Sequence, residues 1–357
     1  MKRKLLVAVP LLCLVVLLAW YLRPKHESLG AAYVSERSLT LLSSIAQVRE
    51  QVGVLYYGER VDVLARRNDY VKVRTVSGTE GWVDGRYLTD PDLWQRSVKL
   101  LQQSKGMSVQ ARGRTKTTTN LRVAPGRTEP RLYQFSRGTE VEIFGRAVAD
   151  WVQVTDEKEA AEKEANEAGA TKKEDWYLIR GLATRPPGEG TIRNSAVMNT
   201  TQPGDQTLPI AGWVVVRFIS LDLPDPVRDG TSSANVRPIA WFELNRVTDD
   251  TGDHPQYLVA GTRGPEGQPC DFTSLRVFTW NPKRSRYETA YIENGLCGAL
   301  PIQIGKGPKG EPEFRFREMG AANEERVYHL IQTVVRRVRE VGAKSSTGAR
   351  KAAKGKR

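Results

Sequence analysis

Short runs in which apolar and polar residues alternate dominate the chain, the period-two signature of strands buried on one face. Val52, Val54 and Tyr56 alternate ahead of a turn at Gly58-Glu59, and Val61 and Val63 open the next run. After the turn Asn68-Asp69, Val71 and Val73 alternate with Tyr70, Lys72 and Arg74, and Ser77-Gly78 and Gly81 precede Trp82-Val83. Short strands at this spacing predict a small barrel over residues 33–89. The period then changes. Asp90-Pro91 reads as an N-cap followed by proline at the first helical position, and Leu93, Trp94, Val98 and Leu101 recur near a helical period, so residues 90–106 are a linker helix ending near Lys105-Gly106.

The strand pattern then repeats over residues 107–223. Gly58-Glu59-Arg60-Val61-Asp62-Val63 parallels Gly138-Thr139-Glu140-Val141-Glu142-Ile143, and Gly81-Trp82-Val83 with Tyr87-Leu88 parallels Gly212-Trp213-Val214 with Phe218-Ile219. The run from Asp69 to Arg74 has two possible counterparts, one starting at Asp150-Trp151 and one at Asp175-Trp176. Two insertions interrupt this copy: residues 155–174, rich in Glu, Lys and Ala, read as an exposed polar helix, and residues 183–210, rich in Pro, Gly, Thr and Asn, as a long loop. Residues 224–342 read as a β-rich domain. Its strands include Ile239–Leu244, Tyr257–Ala260 and a hairpin turning at Asn281-Pro282-Lys283. The run Val327–Val338 also fits an amphipathic helix, but its β-branched content favours strand.

The second copy opens with Thr119-Asn120-Leu121-Arg122-Val123-Ala124-Pro125-Gly126. A strand ending in Asn-Leu-Arg, a Pro-Gly turn, a Gly-Thr turn into an alternating strand and a closing Gly-Trp-Val strand resemble the bacterial SH3 (SH3b) family. The first copy shares the closing strand but offers Leu39-Thr40-Leu41-Leu42 at its start. The resemblance covers about half the chain. It implies SH3-like small barrels that bind and position a ligand without catalysing a reaction. The expected architecture is mainly β: an N-terminal transmembrane helix, two SH3-like small barrels and a C-terminal β-rich domain.

The transmembrane helix rests on Leu5–Leu22, eighteen residues without a charge after Lys2-Arg3-Lys4, with Trp20 and Tyr21 at the far end. At about 1.5 Å per residue this nearly spans a ~30 Å hydrocarbon core. Residues 1–25 are therefore read as an uncleaved signal anchor, a cleaved signal peptide being the alternative. The positive-inside rule leaves residues after 25 on the periplasmic side of a bacterial inner membrane. The net charge is +13, and nearly half of that excess lies in residues 343–357, a basic, disordered tail holding Lys344, Arg350, Lys351, Lys354, Lys356 and Arg357 without an acid. Such a tail is either a solvated terminus or a contact for polyanions. Of three cysteines, Cys13 lies in the apolar run. Cys270 and Cys297 are a disulfide candidate in an oxidising compartment, with two buried thiols as the alternative.

Motifs for chemistry are absent. His26, His254 and His329 have no metal-ligand spacing, no phosphate-binding glycine loop occurs, and Asp249, Asp250 and Asp253 read as a polar turn. The chain is expected to have no catalytic residues, metal or cofactor. Its ligand-binding candidates are aromatic residues matching between the two copies: Tyr70, Trp82, Tyr87, Trp176, Trp213 and Phe218. Trp82 and Trp213 also suit a barrel interior, and that is the expected place for them. Tyr70 and Tyr87 are expected to show a face to solvent. The expected function is binding of cell-wall peptide or glycan, or of an extended protein segment, by a membrane-anchored envelope scaffold. A protein-protein adaptor without wall affinity and a hydrolase with its site in the C-terminal domain are the alternatives. The expected partners are the membrane and peptidoglycan or an envelope protein.

Overall fold

The computed structural model describes residues 28–151, 172–184, 207–320 and 324–338. The expected membrane span, the two insertion interiors and the basic tail lie outside them. No helix of the described residues is long and apolar enough to cross a membrane. The chain is mainly β, in three seven-stranded sheets.

In the first sheet the strands are β1 (Gly30–Val34), β2 (Ser38–Leu42), β3 (Gln51–Tyr56), β4 (Arg60–Arg67), β5 (Tyr70–Thr75), β6 (Glu80–Asp84) and β7 (Leu88–Thr89), in the order β3-β2-β6-β5-β4-β1-β7. Alternation decides which side faces in. Val61, Val63, Val71, Val73 and Val83 join Val34, Leu39, Leu41 and Leu55 in one buried core, so Tyr70, Lys72 and Arg74 point outward. Helix α1 (Pro91–Lys105) follows. Asp90 caps it by accepting from the Leu93 amide at 2.8 Å. Its Trp94 stacks on Tyr33, ring centroids 4.7 Å apart.

The second sheet holds β8 (Ala111–Thr115), β9 (Thr119–Arg122), β10 (Arg131–Phe135), β11 (Glu140–Asp150), β12 (Lys173–Thr184), β13 (Thr207–Val215) and β14 (Ile219–Leu221). Its order, β10-β9-β13-β12-β11-β8-β14, repeats that of the first sheet strand for strand. The register resolves the ambiguous repeat. Val63 faces Val73 as Ile143 faces Ile179, each with a bulge just after, so Tyr70 corresponds to Trp176 and the segment at Asp175 is the counterpart. Likewise Leu42 faces Trp82 as Arg122 faces Trp213, which places Leu39-Thr40-Leu41-Leu42 where the second copy has Thr119-Asn120-Leu121-Arg122.

The third sheet is an antiparallel meander in sequence order: β15 (Arg237–Asp249), β16 (Gly252–Thr262), β17 (Phe272–Asn281), β18 (Arg286–Lys306), β19 (Pro312–Glu318), β20 (Glu325–Ile331) and β21 (Val334–Val338). It curls about one core to which all seven strands contribute, including Ala240, Leu258, Phe272, Leu296, Phe314, Tyr328 and Val335. On its other face packs a helix that the hydrophobic pattern does not show, α2 (Asp225–Ser233). Its Val227 is buried with Tyr257, Val259 and Phe278. The disulfide Cys270–Cys297 ties the segment before β17 to β18. At the β15–β16 tip Asp249 is bound by Thr251, His254 and the Trp280 indole N–H.

The second and third sheets share one compact unit. Buried polar contacts join them. The Gln110 side chain accepts from the Ile302 amide at 2.7 Å and donates to the Ile302 carbonyl at 3.2 Å. Arg146, its side chain 2% exposed, donates to Asp175 at 2.5 Å, to Asp271 at 3.1 Å and to the carbonyls of Gln268 and Cys270. Asp175, fully buried, also accepts from Arg237 at 3.2 Å and from the Gly267 amide at 2.8 Å.

Candidate ligand-binding face

The outward side of the first sheet brings most of its expected binding residues together. Pairing sets Tyr70 opposite Asp84, Lys72 opposite Trp82 and Arg74 opposite Glu80. Trp82 is therefore flanked by Lys72 and Leu42 on an outward row. This corrects the interior placement expected for Trp82. In a sheet whose buried residues are Val71, Val73 and Val83, parity forces residue 82 to the other side. The adjacent glycine explains the Gly-Trp pair: a Cβ at Gly81 would lie 2.6 Å from Leu41 Cγ and 2.8 Å from the Leu42 carbonyl oxygen, so the crossing of β6 over β2 requires glycine there.

Charge surrounds the aromatic row. Arg49 donates to the Tyr70 hydroxyl at 3.2 Å and lies 6.0 Å from its ring centre. Arg86 clamps Asp84 at 2.6 Å and sits over Tyr87. Lys72 and Arg74 converge on Glu80 at 2.8 and 2.7 Å, and these hydrogen bonds hold the Glu80 carboxyl down to about 2. Tyr87, in a 3-10 turn over Gly85–Tyr87, packs on the rim of the core. The result is a shallow, half-buried aromatic face with cationic edges. The sequence reading offers none of Arg49, Lys72 and Arg86 as binding residues. Arg86 had a visible signal, since Arg86-Tyr87 repeats as Arg217-Phe218.

The second sheet builds its counterpart differently. Trp213 is also half-buried and outward, opposite Arg122, which corrects its interior placement too. Arg217 lies over Phe218, 5.3 Å from the ring centre. Glu174, 1% exposed, takes a two-pronged contact from Arg127 at 2.8 Å and another from Arg217 at 2.6 Å. Arg127 and Lys172 flank Trp151. Trp176 is corrected as a binding candidate. It is 1% exposed with its indole N–H enclosed, so the side of β12 that is free in β5 is covered here. The six aromatics therefore form no single site. Tyr70 and Trp82 share the outward side of the first sheet, with Tyr87 joined to its edge through Arg86 and Asp84, Trp213 and Phe218 belong to the second sheet, and Trp176 is interior.

Comparison with known proteins bears on this face directly. The family model of the bacterial SH3 domain matches residues 48–89, the stretch that carries Tyr70, Trp82 and Tyr87. No curated protein matches the chain. Among solved structures, NlpC2 of Trichomonas vaginalis is 8% identical with a TM-score of 0.17, the match covering 87% of this chain and 91% of that one. An NlpC/P60 family protein of Bacillus cereus is 10% identical with a TM-score of 0.21, covering 74% and 94%. NlpC1 of Trichomonas vaginalis is 10% identical with a TM-score of 0.17, covering 87% of each. Superpositions at these scores carry no statement about a shared overall fold. In view of these NlpC and NlpC/P60 matches the expectation of a chain without enzymatic activity is withdrawn. Among the described residues both cysteines, Cys270 and Cys297, are paired with each other.

Proposed function

Since the chain carries a bacterial SH3 domain at residues 48–89, we propose that it is a cell-envelope binding protein that uses the Tyr70–Trp82–Tyr87 face to hold cell-wall peptide or glycan. One observation carries this reading: the register turns Trp82 outward between Lys72 and Leu42, on the side of the sheet that carries Tyr70 under Arg49, with Tyr87 under Arg86 at its edge. An aromatic face with polar tips suits the apolar faces and hydroxyl edges of sugars and extended peptides. In this reading residues 1–25 anchor the protein in the inner membrane with the remainder in the periplasm, and the tail at 343–357 adds salt-sensitive attraction to anionic polymers.

The test is sedimentation of the full-length protein with isolated peptidoglycan sacculi across a salt series. Retention that survives high salt supports recognition by the aromatic face. Retention that vanishes with salt reduces the interaction to charge, and no retention overturns the reading in favour of a protein partner. The same incubation tests hydrolysis: soluble wall fragments released over time would make the protein a wall hydrolase.

A further inference from the structure

Arg276 stands apart from the other buried cations. It lies mid-strand in β17, where Leu275 and Val277 face the core and Arg276 faces the opposite way, between Val259 of β16 and Ile292 of β18. The residue is 6% exposed, and its Nε is enclosed without a hydrogen-bond partner. Among the described residues no carboxylate pairs with it. The charge that acts on it is the like charge of Arg263, an exposed residue just past the end of β16, and this, after burial, pulls the Arg276 guanidinium below its ordinary value. Arg146 is the contrast: as deeply buried, it is met by two carboxylates and two carbonyl oxygens. A guanidinium taken out of water without a counter-charge is costly to fold. Beside it, one pair along the same face, Asn294 accepts from the Ser274 hydroxyl at 2.9 Å through its oxygen, which leaves its amide N–H groups as further donors.

We propose that Arg276, with Arg263 and Asn294, forms an oxyanion-binding site on the outer face of the third sheet, taking a phosphate or carboxylate group. The planar guanidinium offers paired donors matched to such groups, and the ligand supplies the negative charge that the protein leaves out. The site is separate from the aromatic face of the first sheet and stands or falls independently of it.

Titration calorimetry of the full-length protein at constant ionic strength, with inorganic phosphate and with acetate in parallel, tests the site. Saturable binding of either anion is expected, and the preferred one identifies the group. Arg263→Gln, a change at an exposed position, should weaken binding several-fold. Arg276→Met should abolish it while leaving the protein folded, and should raise the thermal midpoint in anion-free buffer, because it removes an unpaired buried charge. Absence of binding of both anions to the native protein overturns the proposal. So does binding that Arg276→Met leaves unchanged.

Discussion

Asp175 is the residue whose loss should cost the protein most. It is fully buried and satisfies three donors: Arg146 at 2.5 Å, Arg237 at 3.2 Å and the Gly267 amide at 2.8 Å. Asp175→Ala leaves the Arg146 side chain, 2% exposed, with Asp271 and two carbonyls, and strands the Gly267 N–H. Removing one partner of a buried ion pair costs about 3–5 kcal/mol, and an unsatisfied buried N–H about 1–3 kcal/mol. The contacts Arg146 keeps offset part of this, so a net loss of about 4 kcal/mol is expected. Urea denaturation should show it as a lower midpoint in the transition of the unit that contains residues 97–182 and 209–357, with the transition of the unit holding the first sheet unmoved. Arg146→Ala combined with Asp175→Ala should cost clearly less than the sum of the two single changes, because the second removal no longer leaves a buried charge alone. A loss below about 1 kcal/mol for Asp175→Ala, the range of an exposed ion pair, or strict additivity in the cycle, would refute the view that this cluster is a desolvated joint between the two sheets.

Three further outcomes are expected. Gly81→Ala places a Cβ 2.6 Å from Leu41 Cγ and should destabilise the first sheet by about 1–3 kcal/mol in thermal unfolding, whereas the same change at Gly78, with open space around its Cβ but a positive φ, should leave the packing of β6 on β2 intact. Reducing the Cys270–Cys297 disulfide, which spans 27 residues, should lower stability by about 3–4 kcal/mol, read as the difference in denaturation midpoint with and without reductant. The folded pKa of Glu80, about 2, lies below its ordinary value of 4.5. The stability it contributes is therefore present above the ordinary carboxylate range and is lost as pH falls toward 2. Glu80→Gln should be less stable than the native protein at neutral pH and should lose less on acidification through that window, measured by denaturation at stepped pH.

The alternation of Val71 and Val73 with Tyr70, Lys72 and Arg74 made both the strand and its buried side readable from the chain, because burial on one face of a pleated strand leaves no other arrangement. The Gly-Trp pairs marked the crossing strands for a steric reason that the structure makes explicit at Gly81 and Gly212. What single-chain patterning left open depended on long-range register. Asp150-Trp151 and Asp175-Trp176 are locally alike, and only pairing with β11 selects the second. Trp82 looked like core because it is large and apolar, yet its neighbours Gly81 and Val83 occupy the inward positions. Trp176 reads as a surface residue by analogy with Tyr70, yet it is enclosed on β12, and nothing in the local pattern distinguishes the two positions. Helix α2 is short and polar apart from Val227, so no apolar period announces it.

The central claim is that the outward aromatic row of the first sheet recognises the cell wall, and the most direct measurement is the affinity of Trp82→Ala for sacculi at high salt. Trp82 is half-buried and outward, so the variant should fold with an unchanged thermal midpoint. The account predicts that its affinity falls at least about tenfold, or ~1.4 kcal/mol, while Trp213→Ala, on the separate surface of the second sheet, changes it less. Retention of Trp82→Ala equal to that of the native protein would contradict the account.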